Sequence, residues 1–116
     1  MVSDLINKYF KGRTNLSILD VGCGTGALLR ELDQFGKVQG LDFSPLAVAF
    51  CKERGLMNVE QGSATDIRFA GNTFDLVLAL DILEHIDDDR KAISEIERVL
   101  KPGGIAIIFV PTFMFL

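Results

Sequence analysis

The sequence predicts a doubly wound α/β sandwich with right-handed crossovers, and three observations carry that prediction. Short apolar runs alternate with helical patterns along the whole chain. A Gly-rich turn, Gly22-Cys23-Gly24-Thr25-Gly26, joins the first of those runs to the helix after it. The mean hydropathy is +0.29, yet no uninterrupted apolar stretch reaches the ~20 residues of a membrane helix. The excess therefore belongs to strands buried on both faces, as in a parallel sheet covered on either side by helices.

Each element follows from its local pattern. Val2, Leu5, Ile6, Tyr9 and Phe10 recur at helical spacing and Gly12 follows as a stop, so the chain opens with an amphipathic helix. Ser17 to Val21 is a short buried strand running into the Gly-rich turn. The next helix carries Leu28, Leu29, Leu32 and Phe35 on its apolar face and is expected to end at Gly36. Lys37 to Leu41 reads as the second strand. Ser44 caps a helix with Pro45 at its first position, and Gly55 ends it. Met57 to Gln61 is the third strand, followed by a loop through Asn72. Phe74 to Leu80 is the fourth. Asp87, Asp88 and Asp89 supply an acidic cap for a helix expected to bury Ile93, Ile96, Val99 and Leu100. Lys101-Pro102-Gly103-Gly104 reads as a stop and turn, and Ile105 to Val110 as the fifth strand.

Composition narrows the function classes. With 116 residues there is room for one domain, 1–116, and 48% hydrophobic against 24% charged residues excludes disorder, collagen and coiled coil. Twelve basic against 16 acidic residues give a net charge of −4, which argues against a broad nucleic-acid footprint. Met1-Val2-Ser3-Asp4 has neither the basic region nor the apolar run of a signal peptide, and no membrane partner is expected. Two cysteines, Cys23 and Cys51, are too few for a disulfide scaffold and suit a reducing, cytoplasmic compartment.

The chemistry concentrates at two strand ends. The glycines of the turn let a ligand approach backbone without meeting a Cβ. Asp42 ends the second strand, 20 residues beyond Gly22, where a nucleotide-binding α/β fold places a carboxylate for ribose hydroxyls. A dinucleotide fingerprint would require glycine at Ala27, so a nicotinamide-dependent oxidoreductase is disfavoured. The observed G-x-G-x-G spacing in Asp20-Val21-Gly22-Cys23-Gly24-Thr25-Gly26 instead resembles the first motif of class I S-adenosylmethionine-dependent methyltransferases. Gly40-Leu41-Asp42-Phe43-Ser44, Phe74-Asp75-Leu76-Val77, Leu83-Glu84-His85-Ile86 and Val99-Leu100-Lys101-Pro102-Gly103-Gly104 resemble that family's later motifs, in the right order from Ile18 to Val110.

That resemblance implies a Rossmann-like three-layer sandwich with strand order 3-2-1-4-5, lacking the usual C-terminal antiparallel strands. It implies S-adenosyl-L-methionine as cofactor and methyl transfer to a small-molecule acceptor by in-line displacement. Asp20 and the backbone of Gly22, Cys23, Gly24 and Gly26 would face the methionine part, Asp42 the ribose and Phe43 the adenine. Where small-molecule members often read Gly-Asp-Ala, this chain has Gly62-Ser63-Ala64, so Ser63 would replace a carboxylate at the adenine amino group with a shorter, uncharged side chain. Leu80 and Asp81 would border the methionine ammonium, and Asp81, Glu84 and His85 the substrate opening.

His85, the only histidine, is a candidate general base, although ordering the loop before the acidic cap is the favoured role. No metal is expected: the aspartates at 87–89 are better read as a cap, and no Cys/His spacing supports zinc. A non-catalytic cofactor-binding module or partner subunit is the alternative to an enzyme. Ile105 to Val110 would be an apolar edge strand followed by the uncharged Thr112-Phe113-Met114-Phe115-Leu116, which predicts a homo-oligomer formed through the C-terminal strand.

Overall fold

A computed structural model describes residues 2–80 and 89–109. The described residues form four α-helices, α1 (Val2–Phe10), α2 (Ala27–Leu32), α3 (Pro45–Glu53) and α4 (Asp89–Val99), and strands β1 (Leu16–Val21), β2 (Gly36–Asp42), β3 (Val59–Gln61), β4 (Phe74–Ala79) and β5 (Leu100–Ile108), alternating except between β3 and β4, which a loop joins. All pairings are parallel, in the order β3-β2-β1-β4-β5. The predicted fold class and strand order are both observed.

Successive strand residues point to opposite faces, and here both faces are apolar. Ile18, Val38, Leu76 and Leu78 pack with Ile6 and Phe10 of α1, Leu29 and Leu32 of α2, and Val48 and Cys51 of α3. Leu19, Val21, Val77 and Ala79 pack on the other side with Ala92, Ile96 and Val99 of α4. The double burial accounts for the hydropathy of the chain. Ser44 caps α3 as expected: its hydroxyl accepts the Ala47 N–H at 3.2 Å, with Pro45 at the first helical position.

Several boundaries differ from the sequence reading. α2 ends at Leu32 and a 3-10 turn, Asp33–Phe35, completes the segment, so Gly36 opens β2 instead of closing a helix. Gly36 pairs with Leu16, and a Cβ there would collide with the Leu16 carbonyl. β1 begins one residue early at Leu16, and β4 ends one early at Ala79. β3 spans only Val59–Gln61, because Leu56 N–H still donates to the Cys51 carbonyl at 2.9 Å and Met57 is 66% exposed.

Lys101-Pro102-Gly103-Gly104 does not end a unit. β5 already begins at Leu100: Phe74 pairs with Leu100 and Leu76 with Ile105, so three surplus residues bulge from the ladder. Pro102 has no N–H for the ladder, and Gly103 takes φ +81, which together favour a bulge. In α4 the buried stripe is Ala92, Ile96 and Val99; Ile93, one position around the helix, is 43% exposed, and Leu100 is half-buried in β5. Tyr9, expected on the apolar face of α1, is likewise 54% exposed. Asp87, Asp88, Val110 and the tail after it lie outside the described residues.

Candidate functional site

β1 and β2 lie side by side, and their carboxyl ends bring the two predicted motifs together. Gly22 and Cys23 both donate their N–H groups to the Leu41 carbonyl, at 2.7 and 3.0 Å, which locks the turn after β1 onto the end of β2. Gly26 N–H closes the turn on the Cys23 carbonyl at 3.0 Å. Gly24 sits at φ +57 with nothing within 4 Å of where a Cβ would stand, so its α-carbon faces open space. Gly26 faces the interior: a Cβ there would come 2.5 Å from Leu56 Cδ1 and 3.1 Å from Cys51 Sγ. One glycine leaves room for a ligand and the other for packing.

Two carboxylates flank this turn. Asp20 is 4% exposed, and burial first and the Asp42 charge second push its carboxyl up to about 7. No donor among the described residues offsets those two influences. Asp42 is half-buried and tied to backbone: Oδ2 accepts the Gly24 N–H at 2.8 Å and Oδ1 the Ser44 N–H at 2.9 Å. A carboxylate oxygen has two lone pairs, so each keeps one for an incoming hydroxyl. Asp42 thus holds the glycine turn through Gly24 and also bonds the Ser44 N–H at the start of α3, where the sequence reading assigned the capping to Ser44 alone.

Phe43, 70% exposed, walls a cavity of about 270 Å³ with Gln61, Gly62, Ser63, Asp66 and Arg68. Gln61 Nε2 donates to the Phe43 carbonyl at 3.3 Å. Ser63 does not turn its hydroxyl to a ligand: Oγ accepts the Thr65 N–H at 3.1 Å and pairs with Thr65 Oγ1 at 2.8 Å. The departure from Gly-Asp-Ala therefore produces a hydroxyl engaged within its own loop. Ala64 is buried in the cluster beneath α4, leaving only backbone for any ligand contact. Gln61, Asp66 and Arg68 were missed in the sequence; their signal is position, at the end of β3 and in the loop that follows it.

Cys51 Sγ donates to the Gly24 carbonyl at 3.2 Å, so it anchors the turn besides filling the core. Cys23 is buried, and burial followed by the Asp20 charge pushes its thiol up to about 12, far from thiolate character at neutral pH. Both cysteines are free thiols. Leu80 is half-buried against the core beneath α2. Asp81, Glu84 and His85 lie outside the described residues. Among the described residues no group of three His, Cys, Asp or Glu side chains could hold a metal ion.

A glycine turn between two carboxylates, with an aromatic-walled cavity at the carboxyl ends of adjacent parallel strands, defines a nucleoside-cofactor-binding α/β domain. Comparison with known proteins specifies it further. The methyltransferase domain model matches residues 19–108. The chain is 38% identical over 102 residues to a demethylmenaquinone methyltransferase of Lactiplantibacillus plantarum, covering 78% of this chain and 43% of that protein. It is 35% identical over 99 residues to a ubiquinone biosynthesis O-methyltransferase of Azorhizobium caulinodans, covering 80% and 39%. The crystal structure of a S-adenosylmethionine-dependent methyltransferase from Aquifex aeolicus superposes with a TM-score of 0.77 at 28% identity, covering 90% of this chain and 61% of that one. The chain belongs to the S-adenosylmethionine-dependent methyltransferases. It spans about two fifths of the length of these curated relatives.

Proposed function

We propose that this chain binds S-adenosyl-L-methionine at the carboxyl ends of β1 and β2 and serves methyl transfer to a small-molecule acceptor. The observation that carries the reading is Asp20. A carboxylate this buried, without a donor among the described residues and in the strand that runs into the Gly24 turn, suits a ligand carrying positive charge. When bound, the cofactor supplies an electrophilic methyl on a sulfonium, so the protein's task is alignment. Asp20 and the Gly22–Gly26 turn hold the methionine portion, Asp42 accepts from the ribose hydroxyls, and Phe43 covers the base. Asp81 would complete the ammonium side, and His85 is the candidate base at the acceptor opening. Two relatives are named for work on demethylmenaquinone and in ubiquinone biosynthesis, which supports a small acceptor.

Titration calorimetry with S-adenosylhomocysteine tests the reading. One-site binding is expected, with a rise in melting temperature equivalent to ~2.7 kcal/mol at 100 times the dissociation constant. A flat titration and an unshifted melt with both S-adenosylhomocysteine and S-adenosylmethionine, on folded protein, would refute it. Labelled-methyl transfer to a panel of quinols and phenols then addresses the acceptor.

Self-association belongs to the same proposal. Among the described residues β5 has one strand neighbour, and Ile108 and Phe109 are 36% and 57% exposed at its end, a surface suited to a second copy of the chain. Light scattering on the intact chain and on one ending at Val110 tests it; two clean monomers refute it. A cytoplasmic location is supported by the two free thiols, and no helix among the described residues is long and apolar enough to cross a membrane.

A further inference from the structure

The wall of the cavity beside Phe43 belongs to a segment with almost no regular structure of its own. Between β3 and β4 the chain makes one isolated bridge, Ser63 to Asp66. It is held from outside by α4. Glu95 Oε1 accepts the Ile67 N–H at 2.9 Å. Arg98 donates to the Phe69 carbonyl at 2.9 Å and to the Ile67 carbonyl at 2.5 Å. Arg98 Nε also bonds Glu95 Oε2 at 2.6 Å, so the two side chains orient each other. An exposed ion pair alone contributes little. This pair differs because three of its bonds end on loop backbone at Ile67 and Phe69. Ile67 lies between Asp66 and Arg68, both of which line the cavity.

We propose that Glu95 and Arg98 of α4 are positioning residues that set the base-recognising wall of the cofactor pocket by holding the backbone of the loop behind it. The inference rests on the cofactor reading above. Asp66 is the charged acceptor on that wall; Arg68 Nε donates to its Oδ2 at 3.3 Å, which leaves Oδ1 to accept from a ligand, and an ionised carboxylate only accepts hydrogen bonds. Held in place, it favours a base carrying an exocyclic amine over one carrying a carbonyl oxygen. Released from α4, the wall loses that preference while Asp20, Asp42 and the glycine turn, which make no contact with Glu95 or Arg98, keep their hold on the rest of the ligand. The Arg98 guanidinium holds the Glu95 carboxyl below the usual range, so the pair stays charged through neutral pH.

The test compares S-adenosylhomocysteine with S-inosylhomocysteine, in which a carbonyl oxygen replaces the amine, by calorimetry on the full chain. The wild type is expected to prefer the adenosyl compound at least tenfold. Glu95→Ala and Arg98→Met are expected to bring that ratio within about threefold of unity, mainly by weakening the adenosyl compound. Glu95→Gln, which keeps an acceptor for the Ile67 N–H, should restore part of the preference. A merely structural pair would lower the melting temperature and leave the ratio unchanged, and that result overturns the inference. Should Arg98→Met fail to fold, Arg98→Lys carries the same test, because one ammonium cannot reproduce the fork onto two carbonyls. Wild-type binding without base preference overturns this inference alone. Wild-type binding of neither compound overturns the cofactor reading and this inference with it.

Discussion

At the amino end of the sheet, Asp75 accepts the Ser17 N–H at 2.8 Å and is approached by Lys101 at 3.4 Å and Arg13 at 3.8 Å. At the carboxyl end, Asp20 stands in the neighbouring strand, buried and without a donor among the described residues, and the charge of another carboxylate, Asp42, acts on it. Both are aspartates on central parallel strands, yet one end neutralises its charge and the other accumulates it. The difference separates a structural end from the proposed binding end. Asp75 has its partners within the fold, whereas the charge of Asp20 opposes the fold, as a site for a cation would.

The sharpest way to break this comparison uses glycine. Gly36→Ala, at the amino end, drives a Cβ into Leu16 backbone and should lower unfolding free energy by roughly 3 kcal/mol or more. Gly24→Ala, at the carboxyl end, meets open space and carries only the strain of its left-handed conformation, about 1–2 kcal/mol. Urea unfolding of both variants measures the gap; equal losses would erase the distinction between the two ends.

Next in size are the carboxylates. Asp42→Ala should weaken S-adenosylhomocysteine roughly tenfold to a hundredfold through lost charge-assisted hydrogen bonds. It should also lower the melting temperature, because the Gly24 and Ser44 N–H groups lose their acceptor. Asp20→Asn is expected to weaken the same ligand by a similar factor while raising the melting temperature of the free protein at pH 8. Asp75→Asn should do the reverse, with about 1–2 kcal/mol of stability lost and affinity unchanged. Calorimetry beside thermal melts separates the three, and an Asp20→Asn variant that melts lower than wild type would contradict the account of the site.

The smallest effect is a proton. The folded pKa of Asp20, about 7, lies above the unfolded value of about 3.9. Its contribution to stability is therefore complete below the lower value and is lost as pH rises through 7. A cationic ligand favours the ionised form, so binding at pH 7 should release about half a proton. Binding enthalpies in phosphate and Tris buffers should differ accordingly; identical enthalpies would mean that binding takes no proton from Asp20.

The fold, and the grouping of the candidate site's central residues at neighbouring strand ends, were legible because their signals are local. Asp20, the glycine turn, Asp42 and Phe43 each sit at a strand end that hydrophobic runs and turn residues mark directly. What escaped depends on residues distant in sequence. Nothing in the run around Ile67 announces Arg98, 31 residues later, and nothing in α3 marks Cys51 as an anchor for the Gly24 carbonyl, 27 residues earlier. Ser63 looked available because its partner, Thr65, has no motif of its own. Gly36 was read as a helix stop because a glycine after an apolar helix usually is one; only the pairing with Leu16 shows otherwise. Ile93 was placed inside because helical period alone does not say which of two adjacent apolar positions faces the sheet.

The surplus residues at Lys101–Gly104 have a consequence for how this chain tolerates changes in length. α4 ends at Val99 and β5 begins at Leu100, so no separate connection absorbs insertions between them, and the bulge takes that part. Beyond it, Ile105 and Ile107 point to the core beneath α1–α3, whereas Ala106 points to the core beneath α4. Pairing with β4 beyond the bulge sets which face each of these residues meets. With three surplus residues, one, two or three can be removed while Leu76 still pairs with Ile105 and the faces of Ile105–Ile108 are kept. Only a one-residue slip in that pairing itself would turn the last strand inside out.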